Sequence, residues 1–147
     1  MNTELITGNL PIGTQDDYNS HIKDLIEDCN ELSKTSPAVC ELTETYCNGV
    51  YARELKMPKG AVIVGRVHKA AHINVISKGE VRVVTHEGVQ LLKAPSTFIS
   101  PKHTQRALEV LEDTVWTTFH AMDEDKVDNA VDECTVKDFN TLKLLEA

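Results

Sequence analysis

Between Glu41 and Ala121 the chain is a succession of short segments rich in β-branched residues, with turn residues between them at even spacing. The segments run from Glu41 to Thr45, Val50 to Lys56, Ala61 to His68, His72 to Ser77, Val81 to Thr85, Val89 to Ala94, Ser96 to Ser100, Gln105 to Val110 and Val115 to Ala121. Asn48-Gly49, Pro58-Lys59-Gly60, Ser77-Lys78-Gly79, Glu87-Gly88 and Pro101-Lys102 punctuate them. No helical pattern intervenes, so the crossover helices of a parallel sheet have no place. An antiparallel sandwich or barrel is predicted. With 147 residues the chain makes one domain, long enough to bury a core without disulfide or metal staples.

The flanks read differently. Residues 1–13 show no periodicity and contain Gly8, Pro11 and Gly13, which predicts an irregular arm. From Thr14, the residues Tyr18, Ile22, Leu25, Ile26, Cys29 and Leu32 recur at helical spacing, with Thr14 as N-cap and Asp16 and Asp17 in the first turn. That helix should end near Ser33 to Ser36, before Pro37, and its apolar face must cover either the sheet or a second subunit. Beyond Met122 an acidic stretch with Val127, Val131 and Cys134 predicts a short helix, and Phe139, Leu142, Leu144 and Leu145 form an apolar tail that should dock. The organisation expected is arm and helix over 1–45, barrel over 46–121 and acidic tail over 122–147, as one globular unit.

Charge and cysteine usage narrow the partners. The net charge is −8, with acidic residues bunched near the C-terminus, so nucleic acid, which is met through clustered Lys and Arg, is not expected. No apolar run approaches the roughly 20 residues of a membrane span. The four cysteines form no CxxC pair, and the N-terminus lacks a basic segment followed by an apolar one. Reduced thiols in a cytoplasmic protein are expected, most of them packing as small apolar groups.

The stretch from Gly60 to Gly79 carries Arg66, His68, His72 and Asn74, four polar residues of one parity within an apolar run. Such a row is either solvated or a site. On a straight strand His68 and His72 would stand about 13 Å apart, too far to share one ion, so they converge only if Lys69-Ala70-Ala71 bends. His120 is the natural third ligand, because it shares the parity of Trp116 and Thr118 on the last strand.

The spacing Gly60, five residues, Arg66, one residue, His68, three residues, His72, six residues, Gly79 resembles the first cupin motif, G-x5-H-x-H-x3-4-E-x6-G. After residues 80–94, Pro95, Pro101, Lys102, His103, Arg106 and Val110 resemble the second, G-x5-P-x-G-x2-H-x3-N. The departures fall on metal positions of the family: Arg66 stands for the first His, His72 for the Glu and Arg106 for the second-motif His. Arginine stays protonated and does not coordinate, so the family's three-His, one-Glu site is not present. Phe98, Pro101, Thr104 and Arg106, with the ending DTVWTTFH, also look like a set of small cupin-like proteins encoded by bacteriophages, in which a third His often stands where this chain has Ala70. The resemblance covers residues 46–121. It implies an all-β, cupin-like jelly-roll barrel, here with an N-terminal amphipathic helix and a short helical tail.

Three functional classes follow. One is a cupin binding a small anionic ligand through Arg66, His68, His72, Asn74, Arg106 and Trp116, with or without a divalent metal (Zn, Fe, Mn or Ni) on His68, His72 and His120. Another is a metal-dependent isomerase, lyase or oxygenase on the same scaffold. The third is a virion decoration or connector protein without catalysis, packed against other virion proteins. A homo-oligomer is expected, in the infected cell's cytoplasm or in the virion.

Overall fold

The computed structural model describes residues 3–6, 40–85, 88–137 and 139–146. Among these residues ten strands run in chain order: β1 (Thr3–Ile6), β2 (Glu41–Cys47), β3 (Val50–Met57), β4 (Val62–Val64), β5 (Val67–His68), β6 (His72–Thr85), β7 (Gly88–Lys93), β8 (Ser96–Ser100), β9 (Ala107–Ala121) and β10 (Thr135–Val136). A 3-10 helix (Glu124–Asn129), helix α1 (Ala130–Cys134) and helix α2 (Phe139–Glu146) belong to the tail. The expected helix from Thr14 lies outside the described residues.

Every strand pairing among the described residues is antiparallel, and the molecule is an all-β jelly-roll barrel built on two long strands. β6 and β9 pair along their length and pass through both halves of the barrel. In one half β8 joins β6 and β3 joins β9, with β2 outside β3. In the other half β7 joins β6 and β4 joins β9, with β1 outside β7. The register of β6 on β9 shifts between Ile76 and Val81, where the pair bends from one half into the other. Gly79 makes the bend possible: its φ is +95°, and a Cβ there would come within 2.7 Å of the Thr114 Cα.

Several sequence expectations change form here. His72 to Ser77 and Val81 to Thr85 are one strand, because Ser77-Lys78-Gly79 makes a bulge and not a turn, and the last two expected segments also join into one strand, β9, which starts at Ala107. Ala61 to His68 instead breaks into β4 and β5 at Gly65, whose N–H donates to the Arg106 carbonyl at 2.9 Å. The arm expected to be irregular contributes β1, paired from Thr3 to Ile6 with β7, and the barrel begins at Glu41 with β2, before residue 46. Asn48 and Gly49, both at positive φ, close the β2–β3 hairpin as expected of a two-residue turn.

The core lies in the β7 half and at the bend, where Met57, Ala61, Ile76, Val81, Val83, Leu92, Val110 and Trp116 form one cluster. Each large side chain buried there contributes roughly 1.5–3 kcal/mol. The tail docks as expected, with Leu142 packed on Val67 and Val136, although Leu144 and Leu145 stay exposed. Cys40 and Cys134 are half-buried, and Cys47 is exposed, so it does not pack in the core of this chain. Among the described residues no helix is long and apolar enough to cross a membrane.

Candidate metal centre and ligand cavity

The inward-facing residues of β3, β6 and β9 stack in rows. His120 faces Tyr51; Thr118 faces both Arg53 and Asn74; Trp116 faces both Leu55 and Ile76. On the other side of β6, His72 faces Ser100 and Asn74 faces Phe98. Going from the tail-covered end toward the core, the rows therefore change from imidazoles, through polar and cationic groups, to aliphatic side chains.

His68 joins the first row because the chain bends at Lys69 and Ala70, as the distance argument required. The short strand β5 is held from two sides. Its His68 N–H donates to the Thr104 carbonyl at 3.0 Å and its carbonyl accepts from His103 N–H at 2.7 Å, while Thr135 of β10 pairs opposite. Ring centroids are 4.1 Å apart for His68 and His72, 4.7 Å for His72 and His120, and 5.5 Å for His68 and His120. One nitrogen from each ring lies within 4.8 Å of the others.

Three observations fit this cluster to a metal ion. First, His68 Nδ1 and His72 Nε2 are buried with no hydrogen-bond partner among the described residues, a costly state unless something else takes the lone pair. Second, His72 Nδ1 lies 3.2 Å from the Ala70 carbonyl; as the protonated donor there, it leaves Nε2 as the free ligand atom. Third, all three imidazoles are held neutral. Burial first, then the neighbouring imidazoles and arginines, lowers His68 to about 3. Burial and the His72 and Arg53 charges lower His120 to about 4, and burial with Arg106 nearby lowers His72, against the opposing bond to Ala70. A neutral imidazole is the form that binds a metal.

Beside the cluster lies a cavity of about 350 Å³. Arg53, Arg66 and Arg106 line it, and among the described lining residues none is acidic, a local reversal of sign in a chain of net charge −8. Arg106 lies inside the barrel. Its guanidinium stands 5.6 Å over the Phe98 ring and 5.6 Å over the Trp116 ring, and donates to Ser100 Oγ. Ser100 also accepts from Asn74 Nδ2 at 2.6 Å, and Asn74 Oδ1 accepts from Trp116 Nε1 at 3.0 Å.

The sequence-predicted residues thus separate by role. His68, His72 and His120 come together. Arg106 and Trp116 line the cavity as expected, Trp116 also belonging to the core. Asn74 also lines the cavity; its side chain is fully buried, and its amide bonds Ser100 and Trp116. Arg66, expected inside with Arg106, is exposed at the rim and pairs with Asp132 at 3.2 Å, because the break at Gly65 turns it away from the parity of His68. Arg53 is the residue the sequence did not single out. Its signal was available: it shares parity with Tyr51, Leu55 and Met57, and a charge in an inward apolar row is informative. Its Nη1 lies 3.7 Å from Glu44 Oε1, which also accepts from Tyr51 Oη at 2.6 Å.

No protein-family model and no curated protein matches the chain. Solved structures do match. The EutQ protein of Clostridium difficile superposes with a TM-score of 0.51 at 8% identity, over 63% of this chain and 75% of that one. KdgF from Halomonas sp. gives 0.49 at 20% identity, over 58% and 82%. An RmlC-like cupin from Shewanella frigidimarina gives 0.49 at 22% identity, over 60% and 81%. At these identities the likeness concerns the fold alone. Two of the structural neighbours, from Shewanella frigidimarina and Desulfitobacterium hafniense, are described as cupins.

Proposed function

We propose that this protein holds one divalent metal ion on His68, His72 and His120 and takes a small anionic ligand beside it in the barrel. The observation that carries the reading is the convergence of three buried or half-buried, neutral imidazoles, two of them with a nitrogen that no described residue satisfies. An all-imidazole set suits Zn, Fe or Ni better than Mn, which prefers oxygen ligands. A metal so held supplies Lewis acidity toward a ligand oxygen, the basis on which isomerase, lyase or oxygenase activity would rest. The protein's own part is to bind and orient: Arg106 and Arg53 favour negative charge next to the imidazoles, and Ser100, Asn74 and Trp116 hold Arg106 in place. Metal analysis of protein purified without an affinity tag tests this. One ion per chain, lost in His68→Ala and His72→Ala, is the expected result. Failure of the unaltered protein to retain Zn, Fe, Mn or Ni after exposure to each would overturn it.

A second reading is a structural or assembly component, such as the phage virion protein expected from the sequence resemblance; one surface feature speaks for the packing it requires, though not for the phage origin. Ile99, Ile73 and Phe119 occupy one cross-strand row on the outside of the sheet, with Ile99 71% and Ile73 48% exposed. A strictly monomeric chain in sedimentation at micromolar concentration, unaffected by Ile73→Lys with Ile99→Lys, would count against this reading.

A further inference from the structure

We infer that the ligand of this cavity carries a hydrocarbon portion that lies on the wall built by Leu55, Ile63 and Leu108, and that these side chains set which ligands fit. The inference rests on the reading that the cavity beside the imidazoles is the ligand site. It concerns the body of the ligand and not the group at its head.

The wall comes from two strand pairs. Leu55 on β3 faces Trp116 on β9, and Ile63 on β4 faces Leu108 on β9. All four line the cavity together with Met57. Met57 and Trp116 belong to the buried core, whereas Leu55, Ile63 and Leu108 pack on that core yet stay only half-buried, because part of their surface faces the cavity. Aliphatic surface left in water is unfavourable, and a hydrocarbon group of the ligand would cover it.

The polar groups next to this wall point to the same kind of ligand, because they are bonded to one another. Trp116 Nε1 donates to Asn74 Oδ1 at 3.0 Å, Asn74 Nδ2 donates to Ser100 Oγ at 2.6 Å, and Ser100 Oγ also accepts from Arg106. A polyhydroxylated chain such as that of a sugar acid would press its hydroxyls against aliphatic carbon, at a desolvation cost that a hydrocarbon does not carry. At about 350 Å³ the cavity lies at the small end of the roughly 300–1,000 Å³ range of ligand pockets, which suits a short chain of a few carbons beside a head group.

Calorimetric titration of the full chain, metal-free and cobalt-loaded, with hexanoate, butanoate and gluconate reads the body of the ligand alone, because the head is the same in each. Hexanoate is expected to bind at least about tenfold tighter than butanoate, at about fourfold for each added methylene. It should also bind at least about tenfold tighter than gluconate, which has the same chain length with hydroxyls along it. Ile63→Phe and Leu55→Phe, each of which fills the wall, should each flatten the gain from butanoate to hexanoate. Gluconate as tight as hexanoate, no gain from butanoate to hexanoate, or a gain unchanged in both filled variants would overturn the inference. If no cobalt is taken up, the metal reading fails, and the metal-free titration still decides this one. If no acid binds in either form, the anion reading fails, and hexan-1-ol against butan-1-ol makes the same comparison without a charge.

Discussion

β6 and β9 run through two environments with the same pairing and opposite content. In the β7 half their inward residues are Val81, Val83 and Val110, all at or below 1% exposure, and the row closes into core. In the β8 half the same strands place His72, Asn74, Thr118 and His120 inward, around a cavity. Backbone hydrogen bonding does not distinguish the halves, so the difference lies in what the side chains do. The apolar half provides stability; the polar half buries groups whose desolvation must be offset by partners it only partly has.

Substitutions should break that symmetry in a defined order. Ile76→Ala, at the bend and fully buried, is expected to cost roughly 2–5 kcal/mol in denaturant unfolding, the largest effect, because the surrounding strands cannot close the void. His68→Leu should do the opposite to its half. It removes a buried nitrogen without a partner among the described residues, so metal-free stability should stay level or rise while metal affinity falls by more than about a hundredfold. A loss of several kcal/mol in that metal-free variant would show that the imidazole row is structural.

Acid provides the next contrast. Folded His68 and His120 titrate at about 3 and about 4, below the ordinary 6.5 of the unfolded chain, so the unfolded state binds more protons in between. Metal-free stability should therefore fall as pH drops from about 6.5 toward 4, and fall less steeply in His68→Leu. A flat profile across that window in urea titrations would contradict neutral burial of the row. The smallest effect is expected at the rim, where Arg66→Ala removes an exposed ion pair with Asp132 and should change the urea midpoint by less than about 1 kcal/mol equivalent.

Much of this molecule was legible in the chain. Alternation and turn residues mark the strands because side-chain parity and positive φ are local properties, which is why Asn48-Gly49 and the ends of β8 came out correctly. Local signals were ambiguous at Ser77-Lys78-Gly79, where the same residue types serve a turn or a bulge and only the crowding against Thr114 selects the bulge. β1 carried no periodic signal, since a four-residue strand at a sheet edge needs only a partner backbone. Arg53 was hidden because each β3 residue reads as an ordinary strand position until its neighbours across the barrel are known.

By itself, the sequence determined the all-β class, the parity of the polar rows and the residue types able to bind a metal, because those depend on neighbours a few positions away. Tertiary structure alone decided that His68, His72 and His120 meet, that Arg106 enters the barrel while Arg66 leaves it, and that a cavity remains beside them. Those outcomes depend on a bend at Lys69 and Ala70, a break at Gly65 and the closure of two long strands around one interior, and they bring together residues up to 52 positions apart.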